Sequence, residues 1–173
     1  MNKYSFLTLS LLMLLVSCGN EKKFDKNLQA AYLAMGKTTM ASQIVCSQTS
    51  STWRKAIYDH ETPSGKYCSD FNVALKELFE KYKEVGLLDS ISKYKNEMEK
   101  ATSKLNNPPN SRKDCYNDFV VIVGEVSSFS RMAIDPTGSL QSFNNSVHET
   151  SENISKQLDQ FNIKYSEYLK KEQ

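Results

Sequence analysis

From Asp25 onward, apolar residues recur three or four positions apart in long runs, separated by segments rich in proline and glycine. That spacing places side chains on one face of an α-helix. The first run spans about Asp25 to Tyr58 and carries Leu28, Tyr32, Met35, Thr39, Ser42, Cys46, Thr49, Trp53 and Ile57. Its middle is small and polar, which predicts either close approach of a neighbouring helix or a break near Ser47 to Thr52. Pro63 and Gly65 then mark a turn. Ser69 or Asp70 is placed to cap a second helix by accepting from its first free amides. That helix carries Phe71, Leu75, Leu78, Tyr82 and Val85, is expected to bend at Gly86, and resumes with Leu88, Ile91, Tyr94, Met98, Ala101 and Leu105.

Asn106-Asn107-Pro108-Pro109 ends this run, because a residue before proline is pushed out of the helical region. Ser111 is the expected cap of a third helix, whose stripe is Cys115, Phe119, Ile122, Val126, Phe129 and Ala133. Val120, Val121 and Val123 widen the stripe, so this helix is expected to be the most buried. Five apolar residues in a row at Phe119 to Val123 also fit a buried strand, but the heptad on both sides favours helix. Asp135-Pro136-Thr137-Gly138 makes the third turn. Ser139 then caps a fourth helix carrying Leu140, Phe143, Val147, Thr150, Ile154, Leu158, Phe161, Tyr165 and Tyr168. Short connections favour antiparallel neighbours. The expected fold is all-α, an antiparallel up-down-up-down four-helix bundle forming one domain over residues 27–173.

The N-terminus follows another pattern. Lys3 precedes an apolar stretch from Phe6 to Val16, too short to span a bilayer, which takes about 20 residues. It ends in Leu15-Val16-Ser17-Cys18. This segment resembles the lipobox of bacterial lipoproteins: a branched apolar residue, a tolerant position, a small residue, then cysteine. The resemblance covers the first 18 residues. It implies that residues 1–17 are a signal peptide and that Cys18 carries covalent diacylglycerol and an acyl lipid, anchoring the chain to a bilayer outside the cytoplasm. Two or more chains are what stable anchoring requires. Gly19 replaces the Asp that retains enterobacterial lipoproteins in the inner membrane, which implies an outer-membrane location if the cell is Gram-negative. The polar stretch 18–26 is expected to be a lipidated tether. The turn and its flanks, Ile134 to Phe143, resemble a segment of uncharacterised helical bacterial lipoproteins and imply no activity.

Without its first 17 residues the 173-residue chain keeps 156, enough for one domain with a substantial core. Loss of Lys3 leaves 21 basic residues against 20 acidic ones, well mixed, so no strong field points to nucleic acid. Beyond Cys18 there are three cysteines, and an oxidising compartment favours disulfides. The closest pair in sequence, Cys46 and Cys68, is the expected bridge, worth about 3 kcal/mol by loop entropy. Cys115 is then left over.

Catalytic chemistry has few candidates. His60 lies between Asp59 and Glu61, and His148 lies near Glu149 and Glu152, without the spacing of a metal motif. Cys115 falls early in a helix, where a thiol gains thiolate character, yet it also sits in the apolar stripe. Glu125 is the acid closest to a core position. Trp53, Arg54, Tyr58 and Tyr67 gather around the first turn, and aromatics with arginine are common at binding hot spots. The alternative role for Trp53 is closing the end of the core. No catalytic residue, metal or non-covalent cofactor is expected. The expected function is a non-enzymatic module of the cell envelope, bound to the bilayer through Cys18 and to an envelope or external protein. A phage-exclusion or toxin-immunity lipoprotein is the second expectation, and an enzyme acting on envelope polymers the third.

Overall fold

The computed structural model describes the backbone of residues 3–170 and the side chains of residues 19–170. The expected signal peptide, 1–17, and the lipidation residue Cys18 lie outside the described side chains. Among the described residues the chain is all-helical. Its five α-helices are α1 (Lys3–Tyr58), α2 (Phe71–Glu84), α3 (Leu87–Ser103), α4 (Lys113–Ile134) and α5 (Leu140–Tyr165), with a 3-10 turn at Asn110–Arg112. Among residues 19–170, no helical segment is long and apolar enough to cross a membrane.

Helix α1 is the axis of the fold and packs against all four other helices, most extensively α3. Leu28, Ala31, Met35, Thr38, Ser42, Val45 and Thr49 are its buried stripe, at alternating spacings of three and four. Four of those seven are Ala, Ser or Thr, and small side chains allow close approach of a neighbouring helix. The hydroxyl of Thr38 donates to the Ala34 carbonyl at 2.9 Å, which satisfies it without a partner from another helix. The chain does not break at Ser47 to Thr52. Thr49 turns inward while Ser47, Gln48 and Ser51 face water, so the polar cluster splits between two faces of one continuous helix.

Two expectations fail here. Residues 19–26 are not a tether: they are helical, and Phe24, 4% exposed, belongs to the main core. The second predicted helix is also two helices. Gly86 adopts a left-handed φ of 68°, and its amide donates to the Lys83 carbonyl at 3.0 Å, which ends α2 and lets α3 start in a new direction. That conformation suits a residue without a Cβ.

Helix α4 buries every predicted stripe residue: Cys115, Phe119, Ile122, Val126, Phe129 and Ala133. Its start differs from expectation, because Ser111 caps nothing and instead donates to the Glu21 carboxylate. Asp70 does cap α2 by accepting from Asn72 at 2.8 Å. Ser139 caps α5 in a reciprocal box with Ser142. The helix ends meet in two groups. Phe24 lies beside Leu105, and Gln29 donates to the carbonyls of Tyr168 and Lys170. At the other end of α1, Trp53 meets Phe71 and Phe143. These groups are called the base and the tip below.

Candidate functional site

The tip is built on a tight loop. After Tyr58 the chain reverses through an antiparallel bridge between Glu61 and Tyr67. The Cys68 amide donates to the His60 carbonyl, and the Thr62 amide to the Lys66 carbonyl, each at 2.8 Å. Gly65, with φ of 80°, donates to the Thr62 carbonyl at 2.9 Å. Thr62 is buried, and its hydroxyl meets that of Ser64 at 3.0 Å. Glu77 reaches this loop from α2. Desolvation opposes its ionisation, but hydrogen bonds from Ser64 and Thr62 and the nearby charge of Lys66 hold its carboxyl below the usual range.

The predicted partner residues divide on this frame. Trp53 is 3% exposed and stacks on Phe71 at 5.4 Å, with Phe143 at 5.8 Å, so it closes the core rather than offering a surface. Arg54 is exposed. Tyr58 and Tyr67 are 72% and 78% exposed. The His60 ring lies 5.8 Å from that of Tyr67.

The expected Cys46–Cys68 bridge is absent; Cys46, Cys68 and Cys115 are free and buried. Cys68 packs with Ala56 and Ala74 near the tip, whereas Cys46 belongs to the main core. Ala56 is ten residues beyond Cys46 on α1, about 15 Å along the helix. Bridging needs Cα atoms within about 7 Å. Closeness in sequence misled here because the helix carries Cys46 away from the loop.

The remaining candidates for chemistry are dispersed. Burial pushes the Cys115 thiol up to about 12, so the core position prevails over the helix-start position and keeps it protonated. Burial does the same to Cys46, also up to about 12. His148 pairs with Glu152 at 3.3 Å on an exposed face of α5. Glu125 is half-buried. Among the described residues, no three His, Cys, Asp or Glu side chains gather as a metal would need. A shallow cleft between α4 and α5 is lined by Ile122, Phe161 and Asp118. Hydrogen bonds from Lys164 at 2.9 Å and Tyr165 at 2.7 Å draw the Asp118 carboxyl below its usual range, which leaves it a paired acceptor rather than a poised base.

The base holds a constellation that sequence reasoning missed. Arg112 grips Asp25 through Nε at 2.9 Å and a terminal nitrogen at 3.1 Å. Glu21 lies 3.8 Å from the same guanidinium. The guanidinium covers the Tyr168 ring at 3.8 Å from its centroid. The hydrogen bonds to Asp25 hold the Arg112 charge more firmly than in water. Arg112 and Asp25 are 87 residues apart, and no local pattern signals that pairing.

Comparison with protein-family models, curated proteins and solved structures finds no match for this chain.

Proposed function

We propose that this protein is a lipid-anchored, extracytoplasmic lipoprotein whose helical bundle is a non-enzymatic module for binding a protein of the cell envelope or its surroundings. The anchor is Cys18 with its covalent lipid, and the membrane is the outer one if the cell is Gram-negative. The lipobox sequence supports this part. The helix-end contacts support reading the fold as an up-down-up-down four-helix bundle in which α2 and α3 share one arm.

The observation that carries the binding role is the pair of exposed tyrosines, Tyr58 at the last position of α1 and Tyr67 on the loop that follows it, a loop fixed by its own hydrogen bonds. With Arg54 they form the contact surface. Large aromatics held rigidly lose little entropy on binding, and tyrosine and arginine are favoured at hot spots. Burial of Trp53 supports the same reading, because it fixes the platform beneath them.

Photo-crosslinking residues placed at Tyr58 and Tyr67 in growing cells test this. One discrete adduct from both positions, absent from a Gln141 control on α5, is the expected result. Adducts from neither position overturn the binding role. Replacement of Cys18 by Ser should move the protein out of the membrane fraction, and membrane retention of that variant overturns the anchor.

A further inference from the structure

We infer that the base of the bundle is a seat for an anionic bilayer surface, holding the tip at a fixed distance from the membrane. This rests on the anchor proposed at Cys18. An anchored domain usually hangs on a flexible segment, but here none separates the anchor from the fold. Phe24 is in the core. Ser111 and Arg112 hold Glu21 and Asp25, and Gln29 holds the backbone at Tyr168 and Lys170. Phe24 lies six helical steps beyond Cys18, about 9 Å of rise. A lipid at Cys18 therefore brings the base against the headgroups.

The charge at that end fits such a surface. One cleft beside α1 is lined by Lys22, Lys23, Lys26 and Lys170, and another by Lys23 and Lys104. Two of the nearby acids, Glu21 and Asp25, are already engaged by Arg112. Glu167 lines the first of these clefts, where Lys23, Lys26 and Lys170 outnumber it. Basic residues at a bilayer surface attract anionic headgroups, each contributing about a fivefold gain in partition. The lipid sets the position and the lysines set the orientation. From Phe24 to Tyr58, α1 then holds the tip about 50 Å further out.

The test uses the lipidated protein in vesicles of phosphatidylglycerol and phosphatidylcholine carrying a headgroup quencher. A fluorophore is attached at Asn110→Cys in the base or at Lys66→Cys in the tip, the three native thiols being buried. The base label should be quenched and the tip label should not. Equal quenching at both positions overturns the seat. A flexible insert of about 12 residues between Gly19 and Asn20 separates lipid from lysines. With the insert, base quenching should persist on phosphatidylglycerol vesicles and be lost on pure phosphatidylcholine. Loss on both overturns the role of charge. Adding Lys23→Glu, Lys104→Glu and Lys170→Glu should abolish quenching on phosphatidylglycerol too, with Trp53 emission checking that the variant is folded. Mass spectrometry of the starting protein separates the two claims: a chain without lipid overturns the anchor and this inference together, whereas a lipidated chain with equal quenching overturns the seat alone.

Discussion

At the base, α1, the 3-10 turn and the turn that follows α5 are joined through charge, with Arg112 between Asp25 and the Tyr168 ring. At the tip, α1, α2 and α5 are joined through aromatic faces, with Trp53 against Phe71 and Phe143. The base leaves lysines at its surface, and the tip leaves tyrosines. The difference teaches how one long helix supports two kinds of contact. A charged junction tolerates water at its edge and suits a hydrated surface. An aromatic junction is dry, so it fixes its loop firmly enough to display apolar groups.

The largest effect expected from breaking this contrast is at the tip. Trp53→Ala removes the ring that closes the core and should cost about 3–5 kcal/mol. Urea denaturation followed by circular dichroism measures it. A loss below about 1 kcal/mol would mean that Phe71 and Phe143 close over the gap, and that the tip is not a dry junction.

Next in size is an alkaline effect that reaches the base and the middle of the bundle. Burial raises Cys46 and Cys115 from an ordinary value of 9.0 to about 12. A raised folded value means that the folded chain keeps a proton the unfolded chain loses. Stability from these thiols is therefore complete below the unfolded value and falls as pH rises toward the folded one. Between about pH 8 and about pH 10 the loss should be roughly 1 to 2 kcal/mol per thiol. The urea midpoint, read by Trp53 emission, should drop over that range. It should drop less in the variant with both Cys46→Ala and Cys115→Ala, measured against its own value at the lower pH. An equal drop in that variant would assign the alkaline effect to other groups.

A smaller loss is expected from the base itself. Arg112→Ala leaves Asp25 without its fork and Tyr168 without its cover, for about 2 kcal/mol. Amide exchange should quicken at residues 19–29 and 165–170 while the tip loop keeps its protection. Arg112→Lys should recover only part, because an ammonium neither forms the planar fork nor stacks as guanidinium does. Uniform quickening over the whole chain would show that the two ends are not separable.

Local chemistry made much of this fold legible in the sequence. Pro63, Pro108 and Pro136 mark real boundaries because proline acts on its own neighbours. The stripe of α4 was readable because its spacing is regular and its residues large. What escaped depends on contacts between distant segments. Gly19 to Lys26 is polar enough to pass for a tether, and only the packing of Phe24 and the arrival of Arg112 make it part of the fold. Ser111 has the chemistry of a cap, but Glu21 takes its hydroxyl. Gly86 signals a bend, yet the left-handed turn that separates α2 from α3 is set by how both pack on α1. At the candidate surface, sequence gathered the right neighbourhood without sorting it. Trp53 and Tyr58 lie five residues apart on one helix, about 140° around its axis, so one faces the core and the other faces water.

The smallest effect on stability, and the sharpest test of what the tip is for, concerns that sorted pair. Tyr58→Ser with Tyr67→Ser removes two exposed rings whose surroundings are mostly solvent. Exposed substitutions of this kind change stability by about 0.5 kcal/mol or less. The base should register nothing, and Trp53 emission should keep the wild-type spectrum because its platform is untouched. The crosslinked adduct expected from a photo-reactive residue at Arg54 should nonetheless disappear. A folded, membrane-held protein that has lost its partner would separate recognition at the tip from attachment at the base. If the doubly substituted protein kept its Arg54 adduct undiminished, the tyrosines would be bystanders, and the contact surface would have to lie elsewhere on the bundle. If it lost about 2 kcal/mol or more of stability, the tyrosines would be part of the junction they cover, and the division between a closed core and a displayed loop would fail at that end.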